Sequence, residues 1–206
     1  MKKLFAVLFS LLLLFSLAAC GKTDDSKSNA NNDTNQTTEA QTDSKPAVAD
    51  ISGWNWVKGE LNCYDYSYNG QTYYLSYSYP DNFKTSEEAY SGLQNFNYFF
   101  NPSDESATPN SSPYGLYIHF GQGTNGGATK SSLEESIQGG FVERELGGRK
   151  VLFGELPADP NTGSHTFAYY LSYAEDDWSR IWILLCDPEP DGEFRKAFEE
   201  SMSFDK

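Results

Sequence analysis

The side chains best suited to chemistry in this chain are few and scattered. There are two histidines, His119 and His165, and three cysteines, Cys20, Cys63 and Cys186. A hydrolytic zinc centre takes three protein ligands, usually two or more of them histidine, and keeps one position open. His119 lies in a strand-like run and His165 just before one, without a local Glu or Asp pattern, so both read as surface or core histidines. Serine fares no better. There is no Gly-x-Ser-x-Gly elbow, and Ser78 sits inside the strand-like Tyr77-Ser78-Tyr79. No catalytic residue, metal ligand or cofactor is expected.

Two further constellations invite a ligand. Gly121-Gln122-Gly123-Thr124-Asn125-Gly126 has the spacing of a dinucleotide loop, in which glycines let backbone approach a pyrophosphate. The next helix, however, starts near Ser131, and the strands after it form a hairpin rather than a parallel crossover. These six residues are therefore a candidate binding loop for another partner. Asp187, Glu189, Asp191 and Glu193 crowd oxygens into a Pro- and Gly-containing turn, as calcium sites do, but lack the EF-hand spacing. Carboxylates at a helix start are also stabilised by the helix dipole without metal. Glu143 and Glu145 share one strand face and read as solvent-exposed.

Cys20 has a different chemistry. Lys2-Lys3 precede an apolar run from Leu4 to Leu17, and Leu17-Ala18-Ala19-Cys20 closes it. The run is about 14 residues, where a spanning helix needs ~20. This leader resembles the lipobox of bacterial lipoproteins. The resemblance implies that residues 1–19 are a signal peptide and that Cys20 becomes a diacylglyceryl-bearing N-terminus. Two acyl chains, at ~0.8 kcal/mol per buried methylene, are enough for stable anchoring. The expected location is the extracytoplasmic face of the cell membrane. Cys63 and Cys186 each fall in a strand; a disulfide between them and two buried free thiols are both open readings.

The elements that must position any site begin late. Residues 20–50 hold the lipidated cysteine and a polar tether of Asn, Asp, Thr, Ser, Gln and Lys with no aromatic side chain, too poor in apolar surface to offset its ordering entropy. Residues 51–206 have the length of one domain. The chain carries −14, and losing Lys2 and Lys3 with the leader leaves 13 basic against 29 acidic residues, a charge of −16. This argues against nucleic acid, which needs a basic footprint, and against electrostatic adhesion to anionic lipid. The 14 Tyr, 14 Phe and 4 Trp suit pleated, half-buried strands, and any left exposed suit stacking on sugars or peptides.

Within the domain, Leu61–Tyr68 and Gln71–Tyr79 flank Asn69-Gly70, the signature of a type I′ hairpin. Thr85-Ser86-Glu87-Glu88 predicts a helix toward Leu93, and Ser131-Ser132-Leu133-Glu134 a second, ended by Gly139-Gly140. Residues 101–113 read as a surface loop. Phe141–Leu146 and Arg149–Leu156 form a hairpin around Gly147-Gly148, and Thr166–Ala174 and Trp178–Cys186 another. Ile181-Trp182-Ile183-Leu184-Leu185 is apolar on both faces, which predicts a central strand covered on each side. A closing helix follows Asp191 with Phe194, Ala197, Phe198 and Met202 on one stripe. The fold class is α+β, a single mainly antiparallel sheet of about six strands flanked by helices.

Tyr73-Tyr74-Leu75-Ser76-Tyr77-Ser78-Tyr79-Pro80-Asp81-Asn82-Phe83 resembles the opening of PsbP-like domains. The Gly147-Gly148 hairpin, a long last hairpin and a closing helix with Phe194, Phe198 and Ser201 follow in that family's order. The resemblance implies a six-stranded antiparallel sheet between helices and no particular function or catalytic set. The expected function is a non-catalytic binding module, using exposed Tyr and Trp and the loops at 101–113 and 121–127. Its partners are the membrane, through the lipid, and an envelope protein or wall glycan. The alternatives are an envelope hydrolase or metal-dependent enzyme, which needs a histidine to meet acidic residues in a cleft, and a structural or assembly component of an envelope complex.

Overall fold

A computed structural model of the chain describes residues 48–64, 72–90, 93–122, 129–173 and 179–204. All of them belong to the second of two compact units, Asp43–Lys206. The leader, Cys20 and nearly all of the tether lie outside the described residues, as do Asn69-Gly70 and residues 123–128. Among the described residues no helix is long and apolar enough to cross a membrane.

Strands β1 (Trp56–Tyr64) and β2 (Thr72–Pro80) make a two-stranded antiparallel sheet. The others are β3 (Lys84–Tyr90), β4 (Leu93–Phe100), β5 (Tyr114–Gln122), β6 (Gln138–Leu146), β7 (Arg149–Leu156), β8 (His165–Ser172) and β9 (Ser179–Asp187). They form one antiparallel sheet of seven strands in the order β3-β4-β5-β9-β8-β7-β6. Helix α1 is short, Lys130–Glu134, and helix α2 spans Glu193–Ser201. The α+β class holds, but with seven strands rather than about six and with β1–β2 as a separate sheet.

The expected helix after Thr85 is a strand. Thr85-Ser86-Glu87-Glu88 satisfies a capping pattern locally, but that local signal is overridden by strand pairing. The segment instead pairs along β4, Thr85 opposite Tyr98 and Glu87 opposite Phe96. Being the outer strand of the sheet, β3 carries Lys84 and Glu87, charges that discourage edge-to-edge association. The second expected helix is present but shifted. Its cap is Thr129, whose side chain accepts the Ser132 N–H, and Gly139 and Gly140, at φ 77° and 78°, open β6 instead of ending the helix. The last helix caps at Gly192 rather than Asp191.

The hairpins β6–β7 and β8–β9 stand where the turn residues place them. The β1–β2 pair is antiparallel as expected, but β1 starts at Trp56 rather than Leu61, and Tyr64 pairs with Thr72, where a two-residue turn at 69–70 would set it opposite Leu75. Gly147 and Gly148 have φ of 58° and 80°, the pair of positive values a type I′ turn demands. β9 is fourth of seven, the central strand.

Strand alternation gives the large sheet two faces. Tyr114, Leu116, Ile118 and Phe120 of β5, Ile181, Ile183 and Leu185 of β9, and Phe167, Tyr169 and Leu171 of β8 point to the main core. The β1–β2 hairpin and α2 cover that face. Tyr77 lies edge-on to Tyr98 at 5.9 Å, and Phe194 of α2 sits among Trp54, Phe83 and Tyr114. The chain after α2 pins the hairpin: Ser76 N–H donates to the Ser203 carbonyl and Ser203 N–H to that of Ser76. Most of the described aromatic residues are thus spent on this core, Tyr73, Tyr77, Tyr98, Tyr114 and Tyr169 among them being buried.

Candidate functional site

The opposite face of the seven-stranded sheet is only partly covered. Helix α1 and the turn after it set Leu133 and Ile137 over Ala168 and Tyr170 on β8. Toward β4 the face is left open, and there it forms a hollow of about 460 Å³. Its floor is a grid set by register. Asn95, His119 and Trp182 lie in one row across β4, β5 and β9; Asn97, Tyr117 and Leu184 lie in the next. Cys186 and Thr166, paired across β9 and β8, complete it, with Thr166 Oγ1 3.7 Å from Cys186 Sγ.

Two loops raise the walls. On one side, a turn of 3-10 helix at Pro109–Ser111 brings Pro109, Asn110 and Ser112 to the rim. Tyr117 leans toward it, its hydroxyl donating to the Pro109 carbonyl at 3.2 Å. On the other side stands Asp159, whose Oδ1 accepts the backbone N–H groups of Asn161 and Thr162, an Asx-type turn that Gly163 completes at φ 71°.

The centre of the floor is aromatic. The His119 and Trp182 rings stack at 4.7 Å and 24°, as cross-strand neighbours do. Trp182 Nε1 is buried and has no hydrogen-bond partner among the described residues. Burial pushes the Tyr117 hydroxyl well above its ordinary range and the Cys186 thiol up to about 11. A thiol so raised is a poor nucleophile at neutral pH. Cys186 and His119 also lie four residues apart along the paired strands, roughly 13 Å at 3.3 Å per residue, too far for a nucleophile–base pair.

The two histidines do not converge. His119 faces the hollow. His165 faces the main core side, where its Nδ1 lies 3.0 Å from Glu155 Oε1 and its ring stacks on Phe167. Of the four carboxylates at 187–193, Asp187, Glu189 and Glu193 border one hollow, but they do not converge on a common point. Asp187 is buried and accepts the backbone N–H groups of Glu189 and Arg195. Asp191 is exposed beside Arg195, and Glu193 pairs with Lys196. Among the described residues no group of three or more His, Cys, Asp or Glu is placed to hold a metal ion. Glu143 is exposed and pairs with Lys150 at 2.8 Å.

Of the candidate loop, Gly121 and Gln122 end β5, and Gly123, Thr124, Asn125 and Gly126 lie outside the described residues. Cys186 is a free thiol in this structure, and the Cys63 side chain lies outside the described residues. The surface loop at 101–113 does contribute, through Pro109, Asn110 and Ser112. Sequence reasoning missed Asn95 and Asn97. Their signal was the alternation Asn95-Phe96-Asn97-Tyr98, which sends both amides to one face of a strand.

The chain matches no protein-family model, no curated protein and no solved structure.

Proposed function

We propose that this chain is a lipid-anchored, extracytoplasmic binding module of PsbP-like fold that takes its ligand in the open hollow on the second face of its sheet. The observation that carries the reading is the uneven cover of that sheet. One face is closed by a hairpin and a helix, while the other leaves amides, hydroxyls and a stacked His119–Trp182 pair around about 460 Å³ of space. That volume falls within the ~300–1,000 Å³ usual for small-ligand sites, and the mix of apolar floor and a few polar groups is what such sites use. Tethering comes from the lipobox-like leader, and the order of hairpins and closing helix supports the PsbP-like assignment. The separation of Cys186 from His119 and of His119 from His165 is what supports reading the hollow as a place of binding rather than turnover.

Two measurements on the full chain test the reading. In a bacterial host, radiolabelled palmitate is expected to enter the protein and to be lost in Cys20→Ala; an unlabelled wild type would remove the anchor. Wall fragments are expected to raise the melting temperature of the wild type but not of Trp182→Ala. Equal shifts in both, or none in either, would remove the hollow as the site.

A further inference from the structure

Resting on that reading of the hollow, we propose that its ligand is an uncharged oligosaccharide, held by Asn95 and Asn97 on one side, Asp159 on the other, and the His119–Trp182 pair beneath. Charge narrows the choice first. Among the described residues no Lys or Arg lines the hollow and the one carboxyl side chain there is Asp159, so an anionic ligand finds no counter-charge. The whole chain, at −14, repels anions further.

Hydrogen-bond chemistry narrows it again. β4, β5, β9 and β8 each have a neighbour on both sides, so their backbone N–H and C=O groups are engaged in the ladders. A peptide therefore cannot add to this floor as a strand. Recognition falls to side chains, and those present are groups that donate and accept together: the amides of Asn95, Asn97 and Asn110 and the hydroxyls of Ser112 and Thr166. Asn97 Nδ2 already holds Ser86 Oγ at 3.2 Å, which fixes its amide for a ligand hydroxyl to meet its other groups. Sugar hydroxyls both donate and accept, and the C–H face of a pyranose fits an aromatic floor. Trp182 Nε1 is a buried donor without an acceptor among the described residues, and a sugar oxygen that reached it would satisfy it. The two Asx- and proline-bounded rim turns, at Asp159–Gly163 and Pro109–Ser111, set the walls a short glycan would lie between.

The test uses the ¹⁵N-labelled full chain in detergent micelles. The probes are neutral tetrasaccharides of glucose, mannose, galactose and N-acetylglucosamine, together with an uncharged wall-type peptide. The Trp182 indole resonance is assigned from Trp182→Phe. At least one tetrasaccharide is expected to move the Trp182 indole and the Asn95 and Asn97 side-chain amide signals. Asn95→Ala/Asn97→Ala should weaken that binding at least tenfold with its melting temperature unchanged. If only the peptide moves these signals, the oligosaccharide assignment is overturned and the hollow stands as a binding site. If no probe and no wall fragment moves them, both fall. A tetrasaccharide that binds with equal affinity to the double variant also overturns the assignment.

Discussion

The two faces of the seven-stranded sheet are built from the same strands, often from adjacent residues, yet they do different work. On the closed face, Ile181, Ile183 and Leu185 of β9 are at most 1% exposed beneath the hairpin and α2. On the open face, Trp182, Leu184 and Cys186 alternate with them and remain partly accessible beside amides. The difference shows that a run apolar on both faces need not be fully covered. The central strand lies where its composition places it, and the cover stops at α1 because that helix has five residues and one buried side chain, Leu133. The closed face is therefore expected to govern stability and the open face binding, and the two can be separated by mutation.

The sharpest separation compares Phe198→Ala with Trp182→Ala. Phe198 is fully buried, touching Tyr77 and Tyr169 at ring distances of 6.4 and 6.1 Å. Its loss should cost ~3–5 kcal/mol in urea unfolding, the range for emptying an aromatic site in a core. Trp182 borders solvent, so its loss should cost clearly less while removing ligand response. Equal destabilisation by the two would erase the distinction between the faces.

Next in size is Gly59→Ala. Gly59 lies opposite Tyr77 in β1–β2, and the Tyr77 ring occupies the space a Cβ would need. That ring is held: its hydroxyl is 2.6 Å from the Tyr98 hydroxyl, and burial raises both groups, Tyr98 to about 12. With no free rotamer to retreat to, the variant should lose ~1–3 kcal/mol, the usual cost of overpacking. A neutral result by thermal unfolding would mean that the hairpin is not a tight lid. On the open face the matching glycine is Gly115, over which the Tyr117 ring lies at 3.0 Å from a built Cβ. Gly115→Ala should shift that ring and change binding with a smaller effect on unfolding.

These contrasts also mark how much was legible in the sequence. Gly147-Gly148 betrayed its hairpin because a type I′ turn needs two positive φ values, and Phe194 and Phe198 betrayed α2 through their spacing. Those signals are local. What was not legible depends on partners distant in sequence. Thr85-Ser86-Glu87-Glu88 satisfies a helix cap and an edge strand equally, and only pairing with β4 decides it. Missing β4 then hid Asn95 and Asn97, whose meaning comes from lying beside His119 and Tyr117 across the ladder. The separation of β1–β2 from the main sheet was illegible for the same reason: it is fixed by Ser76 pairing with Ser203, more than a hundred residues away.

Tyr169→Phe probes a polar seam in the closed face. The Tyr169 hydroxyl donates to Glu199 Oε1 at 2.7 Å, while Arg144 and Arg195 stand over Phe153 and Phe167 at 3.6 and 4.4 Å. Glu199 keeps both guanidinium groups at 3.8 Å, so loss of the hydroxyl should cost only ~1 kcal/mol by denaturant unfolding. A loss several times larger would show that the seam depends on the phenol rather than on the arginines.

The smallest effect expected is a slope rather than a loss, and it belongs to the join between the faces at the end of β9. Asp187 is buried, and burial raises its carboxyl above the usual 3.8, against the lowering pull of the Glu189 and Arg195 N–H groups. Its packing is close enough that a Cβ at Gly192 would meet its carboxylate. A carboxyl raised on folding binds its proton more tightly in the native state than in the unfolded one. Its ionised form therefore weakens the fold at neutral pH, and that penalty is relieved as pH falls through the raised value, ending near the unfolded one. Asp187→Asn keeps an acceptor and has no proton to bind. The stability of the wild type relative to Asp187→Asn should therefore rise from pH 7 toward pH 4, measured by urea unfolding at each pH. Relative stability that falls over that interval would mean the two backbone N–H groups outweigh burial, and that the base of α2 is held together by the ionised carboxylate.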